Sequence, residues 1–263
     1  MRTLPRCRDE GKQIRWIPAF AGMTPRERAE ITMTALHQPV TSDYAIARRN
    51  MVDHQLRPNM VTDSRILEAM GRIPRELFVP STHVGVAYMD ENIQLISGRA
   101  LMQPLVLARL LQAAEIKADD RVLELAPATG YSTLVLASLT SPIFCVEPDA
   151  LLHEEAEKNI AAFVPGKATV LAGAPVEGCI VEAPFDVIFI NGSVEFLPDF
   201  LFAQLNEGGR LVAIVRDHDP AGLMYSGQAR VYRKKGGEIS FVSLFEANAP
   251  LVPGFTAPHG FKF

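Results

Sequence analysis

The stretch "RVLELAPATGYSTLVLA" at residues 121–137 decides the reading of the fold. A short apolar run carrying Glu124 gives way, after a few residues, to a run with helical spacing. That is the pattern of a strand, a turn and a helix in a nucleotide-binding βα unit. Turns of this kind are usually rich in glycine, so that backbone can approach a pyrophosphate. Between Glu124 and Tyr131, however, only Gly130 is glycine.

Outward from this unit, short apolar runs alternate with helical ones. They are "IFCVE" (143–147), "DALLHEEAEKNIAAF" (149–163), "TVLAG" (169–173), "FDVIFI" (185–190), "PDFLFAQL" (198–205) and "GGRLVAIV" (208–215). Alternation of this kind predicts βα units and a mainly parallel sheet with helices on both faces. The run "ARVYRKKGGEISFVSLF" (229–245) reads as two strands joined by a Lys/Gly turn, which adds antiparallel strands late in the chain. Upstream, "SDYAIARRNMVDHQL" (42–56) predicts a helix with Ser42 as its cap, ended by Pro58. "TDSRILEAM" (62–70) predicts a second helix capped by Thr62, and Pro104 opens a third, "PLVLARLLQAAE". Between the second and third, "IPRELFVPSTHVGVAYMD" reads as a structured loop punctuated by Pro74 and Pro80. The expected architecture is α/β: one Rossmann-like domain with a seven-stranded sheet and an N-terminal helical cap.

In such sheets ligands sit at the carboxyl ends of the strands, near the point where strand order reverses. Glu147 ends the second strand about 20 residues past the first turn, where an acid can accept from both ribose hydroxyls of a nucleoside. It could equally be an acid placed near a helix N-terminus, favoured by the dipole. A dinucleotide would need close backbone approach to its phosphates, for which "APATG" is poorly built. S-adenosylmethionine has no phosphate, so the loop points towards a methyl donor.

Composition sets the outer limits. The chain has 263 residues, 48% of them hydrophobic and 21% charged, the balance of a globular protein with a full core. Its net charge of −4 argues against a polyanion-binding surface. Cys7, Cys145 and Cys179 are widely spaced and the six histidines are scattered, so neither a disulfide framework nor a zinc site is indicated. No apolar run approaches the ~18 residues that span a membrane. A cytoplasmic monomer without nucleic-acid or membrane partners is expected. The opening "MRTLPRCRDEGKQIRWIPAFAGMT" has a short apolar patch broken by Pro18 and Gly22, which makes a poor signal peptide. "RWIPAFAGMT" resembles the translation of a repeated intergenic DNA element. Residues 1–32 are therefore expected to be an extension without function, with the true start at Met33 and one domain over 33–263. A basic amphipathic targeting arm is the alternative.

From Tyr44 onwards the chain resembles the protein-L-isoaspartate O-methyltransferase family. The resemblance rests on "MVDHQLRPNMVTDSRILEAMGRIPRELFVP", "AYMDENIQL", "GRALMQP", "VLELAPATGYSTLVLA", "APFDVIFING" and "LPDFLFAQLNEGGRLV", in unbroken order. It implies a class I methyltransferase fold and S-adenosylmethionine as cofactor. The implied reaction is methylation of the α-carboxylate of L-isoaspartyl residues in damaged proteins, after which cyclisation permits repair. Carried over position by position, cofactor contacts fall at Glu124, Leu125, Ala126, Thr129, Gly130, Glu147, Pro148, Gly173, Ala174 and Asn191. Substrate contacts fall at Met102 and Gln103, and no metal is implied.

The chain departs from the family pattern in three places. The family's first loop reads Glu-Ile-Gly-Thr-Gly-Ser-Gly-Tyr, so Ala126 and Ala128 stand for glycines and Pro127 for threonine. Pro127 is expected to push Ala126 into an extended conformation, while Gly130 keeps the tight entry to the helix. The family's Gln-Thr-Ile-Ser-Gln-Pro is "RALMQP" here, with Arg99 at the glutamine and Met102 at the serine, so no catalytic residue is assigned. The family's Gly-Asp-Gly is "GAP", with Ala174 in place of an acid that would meet the adenine amine. An isoaspartyl carboxylate is already ionised at pH 7 and needs no general base, so loss of the serine does not by itself abolish transfer. Two alternatives stay open: a methyltransferase with another acceptor, and a non-catalytic relative that acts by binding.

Overall fold

The computed structural model describes residues 43–216 and 227–257. Its chain enters through α1 (Asp43–Asn50), which runs on as a π-helical turn at Met51–Leu56 and a 3-10 turn at Arg57–Asn59. Pro58 lies inside that last turn, and Met60 in a left-handed conformation closes it. Ser42 lies outside the described residues. Helix α2 (Ser64–Arg72) is capped by Asp63, whose side chain accepts from the Arg65 backbone N–H. Thr62 is therefore not the cap. Its hydroxyl turns instead to Gln112 Oε1 at 3.4 Å, and the N–H groups of Thr62 and Asp63 both donate to that oxygen. The expected loop contains 3-10 turns at Arg75–Phe78 and Ser81–Val86. A two-stranded hairpin follows, β1 (Ile93–Gln94) against β2 (Ala100–Leu101). Helix α3 (Pro104–Ala113) starts with Pro104 in its first turn, where a missing N–H costs nothing.

The sheet is built by β3 (Val122–Leu125), β4 (Ile143–Glu147), β5 (Ala168–Ala172), β6 (Phe185–Val194), β7 (Leu205–Arg216), β8 (Gly227–Lys235) and β9 (Glu238–Ala247). Helices α4 (Tyr131–Ala137), α5 (Ala150–Phe163) and α6 (Asp199–Ala203) connect its parallel strands. The strand order is β5-β4-β3-β6-β7-β8-β9, with the first five strands parallel and the last two joined antiparallel. Gly236 and Gly237, both at positive φ, make the expected hairpin turn between β8 and β9. Order reverses at β3, because the chain moves outward through β4 and β5 and then returns to place β6 on the other side.

Side chains alternate across this sheet with period two, and each face has its own core. Leu123, Leu125, Val146, Ile188 and Ile190 belong to one apolar cluster. Val122, Ile143, Cys145, Val187 and Phe189 belong to the other, together with α3, α4, α5 and the N-terminal cap. The alternation therefore turns Glu124, Glu147 and Asn191 towards this second face.

Candidate nucleoside-binding site

The turn after β3 is buried throughout, from Ala126 to Gly130. The Ala126 N–H donates to the Val146 carbonyl at 2.8 Å, and the Gly130 N–H donates back to Pro127 at 3.0 Å, closing the turn. Ala126 has φ 65° and Ala128 φ 55°, so both alanines hold the left-handed backbone that glycine would hold without strain. Ala126 is thus not extended. Its N–H and carbonyl are both pinned by tertiary hydrogen bonds, and these outweigh the local preference of a residue before proline. Gly130 has φ 88°, and a Cβ there would meet Ala156 Cα at 3.5 Å, so helix α5 passes close against it.

Glu147 stands at the centre of the site, 1% exposed. Its Oε2 accepts from the Ala128 N–H at 2.8 Å. Its Oε1 accepts from Arg99 Nη1 at 2.8 Å and from the Asp149 N–H at 3.2 Å. The first turn of α5 is capped by Asp149, not by Glu147: Asp149 Oδ1 accepts from the N–H groups of Leu151 and Leu152. Burial raises the Glu147 carboxyl above its ordinary pKa, against the pull of Arg99 and the two backbone donors. Arg99, only 3% exposed, also donates from Nη2 to the Ala126 carbonyl at 2.8 Å. One guanidinium therefore joins the ends of β3 and β4.

Glu124 lies beneath the first turn of α4. It accepts from Thr133 Oγ1 at 2.6 Å and from the Ser132 hydroxyl, with Cys145 Sγ at 3.7 Å. Burial pushes its carboxyl up to about 7, offset in part by those donors. Asn191 Nδ2 donates to Ser132 Oγ at 2.9 Å, while its Oδ1 is buried with no partner. Glu124 and Asn191 thus meet through Ser132, at the switch point where β3 and β6 diverge.

The other expected residues are more dispersed. Leu125 packs in the opposite core. Thr129 is buried and donates its hydroxyl to the Phe78 carbonyl at 2.9 Å. Pro148 and Ala174 are exposed, and Gly173 lies so that a Cβ would be 3.3 Å from Val146. Met102 is 2% exposed and belongs to the cap core, while its carbonyl accepts from Arg75 Nη2 at 2.6 Å. The Gln103 N–H donates to Asn92 Oδ1 at 3.0 Å. Arg75 is fully buried, donates from Nε to Ala87 at 2.7 Å, and lies 4.9 Å from the centre of the Tyr131 ring. Sequence reasoning did not single out Arg75 or Ser132. A groove of about 370 Å³ lies elsewhere, lined by Arg65 and Arg72 of α2, Ser138 after α4, and Lys167 before β5.

Residues 47–249 match the family model for protein-L-isoaspartate(D-aspartate) O-methyltransferase. The chain is 35% identical over 215 residues to the protein-L-isoaspartate O-methyltransferase of Koribacter versatilis, covering 81% of this chain and 94% of that one. It is 34% identical over 199 residues to that of Methanoculleus marisnigri, covering 75% and 90%. A solved protein-L-isoaspartate O-methyltransferase superposes with a TM-score of 0.68 at 24% identity, over 78% of this chain and 66% of the other. A candidate enzyme of that name from Plasmodium falciparum, solved with S-adenosyl-L-homocysteine, gives a TM-score of 0.66 at 18% identity, over 78% and 97%. On the extent of the sequence match, this chain belongs to the protein-L-isoaspartate(D-aspartate) O-methyltransferase family.

Proposed function

We propose that the chain methylates the carboxylate of L-isoaspartyl residues in damaged proteins, using S-adenosylmethionine, as part of protein repair. The carrying observation is the buried Glu147 at the end of β4, beside the left-handed turn of β3 in a chain of this family. The residues fit the cofactor at a second point: Asn191 Oδ1 is a buried acceptor without a partner, suited to a donor such as an α-ammonium group. Glu147 would hold ribose hydroxyls, Asn191 the amino-acid end, and Gly173 and Ala174 the edge near the base. When bound, the cofactor supplies a methyl group on a cationic sulfur, open to attack by a carboxylate oxygen.

The chain's own part is to align and to exclude water, since the acceptor is already ionised at pH 7. Arg75 holds the Met102 carbonyl, and Asn92 holds the Gln103 N–H, so the segment next to the expected acceptor is fixed by side chains from the cap. The chain is proposed to work as a monomer in the cytoplasm, where the buried free thiols Cys145 and Cys179 would stay reduced. No described helix is long and apolar enough to cross a membrane. The deciding experiment is transfer of labelled methyl to an isoaspartyl peptide, with the aspartyl peptide as control. Incorporation into the isoaspartyl peptide alone is expected. Incorporation into other carboxylates instead would favour a different acceptor. No incorporation anywhere would favour a binding protein.

A further inference from the structure

The strongest unassigned feature is the partner of Glu147. A carboxylate offers about four lone-pair sites. Arg99 Nη1, the Asp149 N–H and the Ala128 N–H already fill three of them on Glu147. A diol needs two acceptor positions on one acid, and they are free only when the guanidinium has left. Arg99 is also not held by Glu147 alone. Its second nitrogen is on the Ala126 carbonyl, and its backbone closes the β1–β2 hairpin, with Leu95 N–H donating to the Arg99 carbonyl at 2.8 Å. At the tip of the same hairpin, Ser97 Oγ donates to Asp149 Oδ2 at 2.6 Å. Two side chains of one hairpin therefore clasp the two acids that end β4 and begin α5.

We infer that Arg99 is a built-in competitor for the nucleoside seat on Glu147, and that the hairpin carrying it must release before a ribose can be held there. This rests on the cofactor reading above. The clasp divides the protein into a closed state, with the ion pair made, and an open state that can bind. Apparent affinity is then the intrinsic affinity scaled by the open fraction. Arg99 thus sets how tightly the nucleoside end is held without touching the reacting atoms.

The test uses the full chain, with S-adenosyl-L-homocysteine as the probe in titration calorimetry and in stopped-flow mixing. Arg99→Gln should bind at least about tenfold more tightly than the wild type, because its closed state is weakened. Ser97→Ala, which keeps the buried ion pair, should tighten binding by a smaller factor. In the wild type the observed association rate should level off with probe concentration, limited by hairpin release, and in Arg99→Gln it should rise linearly. If Arg99→Gln fails to fold, Ser97→Ala and the levelling-off decide between the outcomes. Equal or weaker binding by both variants, with linear association in the wild type, overturns the competitor while leaving cofactor binding in place. Absence of binding in every protein overturns both readings together.

Discussion

Thr133 donates its hydroxyl to Glu124 across 2.6 Å, and both residues are fully buried. The pair ties the central strand β3 to the first turn of α4, and Ser132 makes a second tie to the same carboxylate. It is a buried acid served by neutral donors alone, so its ionisation is coupled to folding.

Stability should therefore fall as pH rises through the range set by Glu124. Unfolded, its carboxyl titrates near 4.5; folded, burial raises it to about 7. Between these values the native state keeps a proton that the unfolded chain has released, so stability is greatest below the window and is lost as pH rises through it. The loss is roughly 3 kcal/mol across the window. Denaturation midpoints between pH 4.5 and 8 should show this decline in the wild type and a flatter curve in Glu124→Gln. Identical slopes would mean that the carboxylate is ionised in both states.

The two left-handed alanines make a second case. Left-handed backbone costs a residue with a Cβ roughly 1–2 kcal/mol, and glycine returns about 0.5–1 of that through its greater unfolded freedom. Ala126→Gly and Ala128→Gly should each stabilise the protein by about 0.5–1 kcal/mol, read from urea unfolding. Destabilisation by either would show that its φ is not positive in solution.

Glu147→Ala should cost about 1–3 kcal/mol of stability, because the N–H groups of Ala128 and Asp149 lose their acceptor and Arg99 its acid. The measurement is again chemical denaturation, without ligand. A cost below ~1 kcal/mol would mean that the guanidinium moves readily to water.

At Met102, burial in the cap core makes replacement by serine a loss of packing. Met102→Ser should destabilise by about 2–3 kcal/mol and leave methyl transfer to an isoaspartyl peptide no faster. A rise in turnover would show that the new hydroxyl reaches the acceptor.

A chain started at Met33 should melt at the same temperature as the full chain. The first 32 residues lack helical or strand periodicity, and the family match begins only at residue 47. A lower melting temperature would show that the segment packs on the domain.

The sequence by itself determined the order of elements and the late hairpin. These follow from local signals: short apolar runs such as "VLEL" and "IFCVE" alternating with helical ones, proline at the start of α3, and paired glycines between β8 and β9. Spacing also brought Glu147 into view, and motif order identified the family. The tertiary structure alone decided three other things. Asp63 rather than Thr62 caps α2, with the Thr62 hydroxyl turned to Gln112, 50 residues further on. Ala126 is left-handed rather than extended, because Val146 and Arg99 hold it from both sides. Arg99 reaches Glu147 across 48 residues, through a hairpin whose two-residue strands are too short to leave a periodic signal. Local preferences are worth a kcal/mol or so, about what a single buried hydrogen bond contributes, so contacts from distant segments decide wherever several converge on one residue.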